Sequence, residues 1–199
     1  MMRWHVLSGG IVAALSLAGC ASAPPEHFYS LSNGMASAAS TPNPGYYIEV
    51  QNVSVPQQVA RSQLVVTSAE GRIDVMEQER WASPPASEIG QALSLAVSGE
   101  LGVIDVFRTQ PPEKSAVYRI STNVQRFESA PGKYAMLDAV WSIRLAGSAQ
   151  VLTCRTTARE EVAPGYDELV MGHRRAVAKV ASDIAKALRS QVAGKGVCP

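Results

Sequence analysis

Few residues in this chain could do chemistry, and the most definite of them is a thiol. Leu17-Ala18-Gly19-Cys20 sets two small residues between a leucine and a cysteine, at the end of an apolar run from Val6 to Ala18. Small residues fit a signal peptidase, and a cysteine thiol accepts a diacylglycerol. The spacing therefore reads as a bacterial lipobox, with residues 1–19 as signal peptide and Cys20 as the lipidated first residue of the mature chain. The apolar run is too short to span a bilayer, which takes about 20 such residues. Each buried methylene contributes roughly 0.8 kcal/mol, so several acyl chains give essentially permanent anchoring. Ala21 and Ser22 follow without an Asp, the pattern that sorts Gram-negative lipoproteins to the outer membrane, facing the periplasm. The other two cysteines, Cys154 and Cys198, would then lie in an oxidising compartment. They could pair and tie the C-terminal tail to the fold, or remain two free thiols.

Beyond the thiols the inventory is thin. The sequence holds no G-x-S-x-G, Walker A, G-x-G-x-x-G or H-E-x-x-H motif. After the leader the histidines are His27 and His173, too few and too far apart for a zinc site. Glu77, Glu79 and Glu88 read as solvated surface charge rather than as a glycosidase pair. No nucleophile–base pair emerges, so the reading is a non-enzymatic protein with no cofactor and no metal. The remaining candidates are Arg61-Ser62-Gln63-Leu64-Val65 and Arg80-Trp81-Ala82. Trp81, just before a helix, is first a core anchor. With Arg61, Gln63 and Arg80 it could also form a partner contact, since Trp and Arg concentrate at interface hot spots.

The chain has 199 residues, with 18 basic side chains against 17 acidic ones and 46% hydrophobic residues. That balance excludes a basic nucleic-acid binder and a wholly disordered chain. The elements that must position the candidate residues follow from periodicity. Residues 20–45 are an Ala/Ser/Pro-rich tether behind the lipidated cysteine, interrupted at 27–31 by His27-Phe28-Tyr29-Ser30-Leu31. Its adjacent aromatics want burial and predict a short strand docked on the domain. The domain spans 46–193, followed by an irregular tail at 194–199. Strands are expected at Tyr47–Val50, Val53–Val55, Gln63–Thr67, Ile73–Met76 and Val103–Phe107. Three longer ones follow as a meander through Tyr118–Gln125, Leu137–Leu145 and Val151–Val162. A helix starts at Ser83-Pro84-Pro85, with Ile89, Leu93, Ala96 and Val97 inward and Ser98 outward. A second runs from Asp167 to Gln191, with Val170, Val177, Val180, Ala181, Ile184 and Leu188 on one stripe. The expected fold is a single compact α/β (α+β) domain. It has one mixed, mostly antiparallel sheet of five or more strands and two main amphipathic helices.

The order of these segments resembles the PqiC-like ABC-type transport auxiliary lipoproteins. The matching features are the lipobox Cys20, Tyr29-Ser30-Leu31, Arg61 to Val65, Arg80-Trp81-Ala82, Val124-Gln125-Arg126-Phe127 and a strand bearing Trp141. Ser83 stands where that family usually carries an acid. The resemblance implies a three-layer α/β fold and no enzymatic activity. It also implies a periplasmic MCE-domain protein of a lipid transporter as partner. A ring or other homo-oligomer would suit docking onto a hexameric partner, by analogy alone. The competing reading is a lipid-anchored ligand- or glycan-binding module, which predicts a deep pocket lined by aromatics.

Overall fold

The computed structural model describes residues 24–35 and 45–199. The signal peptide, Cys20 and much of the expected tether lie outside the described residues. In chain order the elements are β1 (His27–Tyr29), β2 (Tyr46–Val50), β3 (Gln63–Ala69), β4 (Arg72–Trp81), α1 (Pro85–Leu101), β5 (Ala116–Ala130), β6 (Tyr134–Leu145), β7 (Leu152–Glu161) and α2 (Tyr166–Val192).

The fold is α+β. Its strands divide between two mixed sheets, in the orders β1-β4-β3 and β2-β5-β6-β7, where the sequence pointed to one. The β3–β4 hairpin recruits its third strand from far upstream: β1 lies parallel to β4, with Phe28 opposite Arg80 and Tyr29 opposite Trp81. β3 contacts β5, yet no ladder joins them. In the larger sheet β2 runs parallel to β5, and β5, β6 and β7 form the antiparallel meander.

Local chemistry explains where the periodicity misleads. Val53–Val55 and Val103–Phe107 carry β-rich residues but form only single bridges, Ser54 to Asn123 and Asp105 to Ile48. The Asp105 carboxylate accepts hydrogen bonds from the Val50 and Phe107 amides and from the Ser94 hydroxyl. That local network competes with a ladder. In β5 the alternation slips at a bulge between Val124 and Arg126, so Phe127 is the next inward residue after Val124. α1 ends where Gly102 adopts φ 66°, a left-handed cap that glycine takes without steric cost. Ser98, expected to face solvent, is buried.

α2 covers the inner face of β6 and β7 and packs on α1. Its expected stripe is buried in full. The contact is tight at Gly172, where an added Cβ would collide with Val162 Cγ1 and stand 3.0 Å from Ala135 Cβ. Polar groups stitch the same contact together. Trp141 Nε1 donates to Thr156 Oγ1 at 3.0 Å, and the Thr156 hydroxyl donates to Asp183 at 3.1 Å. Cys154 and Cys198 are joined as a disulfide, with Cα atoms 5.7 Å apart, which holds the tail after α2 against β7.

Alanine is a better helix former than glycine by about 1 kcal/mol. Overpacking costs about 1–3 kcal/mol. At Gly172 the collision dominates, so Gly172→Ala is expected to lower the unfolding midpoint in thermal or urea denaturation. A raised midpoint would show that α2 can lift from the sheet without loss.

Candidate functional site

The ladder brings Arg80 and Gln63 into direct register across β4 and β3, and Phe28 flanks Arg80 from β1. Phe28, Arg80 and Gln63 therefore form one row across the small sheet. Arg61 stands exposed just before β3. Arg80 Nη1 lies 3.3 Å from Glu26, its Nε donates to the Glu77 carbonyl at 3.2 Å, and Gln63 reaches the Glu77 carboxylate at 3.3 Å. Trp81 points the other way. It is 2% exposed and touches Phe127 and His173, at ring-centroid distances of 5.8 and 5.9 Å. Its indole anchors the core and offers almost no surface. Phe28, whose neighbour Tyr29 shares the same hydrophobic pair, was expected to be buried. It is instead 61% exposed, because strand alternation sends it to the face opposite Tyr29. It is the aromatic of this surface that the motif reading missed.

What holds this row in place is the docking of β1, and buried charge does the holding. Leu31 is fully buried, and its amide donates to Glu88 Oε2 at 2.8 Å. The other carboxylate oxygen of Glu88 accepts from the Ser83 hydroxyl at 2.6 Å. Glu88 is only 3% exposed and is not the solvated charge that its sequence neighbourhood implied. Its two hydrogen bonds compensate the lost hydration. Arg174 of α2 clamps the Ser30 carbonyl from Nε and Nη2, at 3.1 and 2.7 Å. On β4, Glu79 accepts from the Tyr29 hydroxyl at 2.6 Å and stands 2.9 Å from His27 Nδ1. Burial alone would raise the Glu79 carboxyl; the hydrogen bonds from Tyr29 and His27 outweigh it and hold it below the usual range. Burial, followed by the Glu79 contact, pushes the Tyr29 phenol up.

Folding also creates a serine–histidine pair that no motif announced. Ser129 Oγ and His173 Nε2 are 2.8 Å apart, the distance of an activated nucleophile. The pair is closed off, with Ser129 2% and His173 0% exposed, and His173 Nδ1 has no hydrogen-bond partner to orient the ring. Burial depresses the imidazole pKa to about 3. The pair is a neutral stitch between β5 and α2. Among the described residues no cluster of His, Cys, Asp or Glu could hold a metal ion, and no helix is long and apolar enough to cross a membrane.

A family model for the ABC-type transport auxiliary lipoprotein component matches residues 29–185, from the docked strand into the second half of α2. The chain belongs to that family. The match of this auxiliary lipoprotein begins at Tyr29, so the family pattern includes the end of β1 and the Glu88-bound segment after it. Among solved structures an uncharacterized protein shares the fold at a TM-score of 0.69 and 18% identity, over 83% of this chain and 99% of the other. A protein from Xanthomonas campestris does so at a TM-score of 0.66 and 14% identity, over 85% and 99%. At these identities the likeness is one of fold. No functionally curated protein matches the chain.

Two outcomes test this geometry. Glu88→Ala leaves the buried Leu31 amide and the Ser83 hydroxyl unpaired, at about 1–3 kcal/mol each. Hydrogen exchange at residues 27–31 is then expected to accelerate before that of β5 and β6. The second test is a pH titration. The unfolded imidazole titrates near its ordinary value of about 6.5, and the folded one only near 3. Between those values the unfolded state binds the extra proton. This contribution to stability is therefore full above about pH 6.5 and falls by up to ~1.4 kcal/mol per unit as pH drops. Urea titrations at stepped pH should show that slope in the wild type and a shallower one in His173→Phe.

Proposed function

We propose that this chain is an outer-membrane-anchored, periplasm-facing and non-enzymatic auxiliary subunit of an ABC transport system that moves lipid through an MCE-domain protein. The observation that carries the reading is the family match over residues 29–185, joined to the position of β1. Cys20, the lipidation site read from the lipobox, precedes His27 by seven residues. A fully extended segment of that length reaches about 25 Å. A folded body tied on so short a lead stays beside its membrane, where a subunit bridging transporter and envelope would work. The burial of Ser129 and His173 supports a non-enzymatic role.

Within this reading the row of Phe28, Arg80 and Gln63, with Arg61 beside it, is the surface offered to the protein partner. Trp81 acts from beneath by fixing the end of β4. An exposed aromatic flanked by arginine is the composition of a hot spot. The glycan- or ligand-binding alternative asks for an aromatic-lined pocket. Depressions of about 260 and 520 Å³ on the described surface are lined by no aromatic residue. Trp81, Trp141 and Phe127 all lie in the core.

Palmitate labelling of whole cells should mark the wild type and not Cys20→Ser, and the variant should leave the membrane fraction. Photocrosslinkers placed at positions 28, 61 and 63 should capture an MCE-domain protein. Phe28→Ala should weaken that capture at least tenfold without changing the unfolding midpoint. Recovery of no such protein from any of the three positions would refute the partner assignment.

A further inference from the structure

We propose that the open face of the four-stranded sheet carries a phosphate-binding site centred on Arg119 and Arg144. The proposal stands apart from the Phe28–Arg80 surface and does not rest on the transport reading.

The argument begins with register. Arg119 of β5 lies directly opposite Arg144 of β6, and in the next row Ser121 lies opposite Ser142. Like charges placed directly across a ladder destabilise it. The arginines of this face other than Arg144 have partners. Arg119 meets Glu49 at 2.7 Å, Arg126 meets Glu128 at 2.7 Å, and Arg155 meets Asp138 at 2.6 Å. Arg159 lies over the Tyr134 ring, 3.5 Å from its centroid. Arg144 meets neither a carboxylate nor a ring among the described residues. The local charge is thus left positive, since Arg119 pairs with Glu49 and the Arg144 guanidinium beside it has no carboxylate among the described residues.

Shape and donor chemistry agree with the charge. Gln51, Arg119, Ser121, Ser142, Arg144 and Val151 line a shallow depression of about 260 Å³. At roughly 30 Å³ per water, that is room for one phosphate group and several waters. Arg119 and Arg144 bring two guanidiniums to it and Ser121 and Ser142 two hydroxyls, from neighbouring strands, while the Gln51 amide donates to Glu49 at 3.4 Å. The hydroxyls of Ser121 and Ser142 make no hydrogen bond within the described residues. A planar carboxylate is satisfied by one fork. Donors arriving from several directions match the tetrahedral oxygens of phosphate, and arginine binds such oxygens bidentately. The depression is open on the side away from the helices, so a phosphate borne by a larger molecule can enter. Free phosphate esters and phospholipid headgroups both present this group.

The test uses the full chain in dodecyl maltoside, which carries no phosphate, at fixed ionic strength set with chloride. Inorganic phosphate should raise the wild-type melting temperature saturably and shift the amide resonances of residues 119–121 and 142–144. In Arg144→Gln both effects should weaken at least tenfold. Without phosphate that variant should melt no lower than the wild type, because it also relieves the opposed charges. Dihexanoylphosphatidylglycerol below its micellar concentration forms the second arm. Displacement of phosphate by this lipid at lower concentration assigns the site to headgroups, and binding of phosphate alone assigns it to soluble esters. Absence of saturable binding in both arms overturns the proposal, as does equal binding by Arg144→Gln.

Discussion

Where α2 lies against Val162 and Ala135, the facing helix position has to leave room for the side chains beneath it. Gly172 meets that condition, and much of the molecule is arranged around it. With no Cβ there, α2 settles against Val162 and Ala135. The neighbouring His173 is thereby pressed into the cluster of Trp81 and Phe127, whose ring centroid lies 4.2 Å from its own. One turn of helix thus joins the two sheets, since Trp81 closes β4 of the small sheet and Phe127 belongs to β5 of the large one. Further along, Asp183 receives the Thr156 hydroxyl, so the far half of α2 is fixed in register by polar contacts as well as by apolar burial.

The second organising device is the buried carboxylate of Glu88. It sits in the first turn of α1, where the helix dipole favours negative charge, and it takes its hydrogen bonds from Leu31 and Ser83, which follow the adjacent parallel strands β1 and β4. Through it α1, the end of β4 and the segment after β1 become one unit. Arg174 adds α2 to that unit at the Ser30 carbonyl. The surface row of Phe28, Arg80 and Gln63 is therefore carried on a rigid mount, although β1 itself is only three residues long.

Features written in contiguous residues were legible in the sequence. The stripe of α2, the proline start of α1, the strands at Gln63–Thr67 and Ile73–Met76 and the meander of β5 to β7 all follow local periods, and each stands in the structure. Features that depend on pairing between distant segments were not legible. Glu88 looks like surface charge until Leu31, 57 residues upstream, offers it an amide. Asp138, on the face that alternation marks as polar, is 1% exposed because Arg155 and Thr157 of the next strand enclose it. The Arg155 hydrogen bonds hold its carboxyl below the usual range against the effect of burial. The division into two sheets was hidden for the same reason, since β1 pairs with β4 across about 50 residues. At the candidate site, the arginines and Gln63 were visible as a motif. The exposure of Phe28 and the inward turn of Trp81 required the ladder.

The docking of β1 also has a mechanical side. In a chain held at Cys20 as proposed, a displacement of the domain from its anchor would enter the folded body at Glu26 and β1. The load then passes along β1 into β4, and by way of Glu88 and Arg174 into both helices. Tension drawn along a paired strand strains its ladder bonds together in shear rather than opening them one after another. The disulfide from Cys154 to Cys198 closes the opposite end of the chain onto β7, so neither terminus of the fold is left free to peel. In the proposed role, such a body would transmit a pull between anchor and partner without first unravelling.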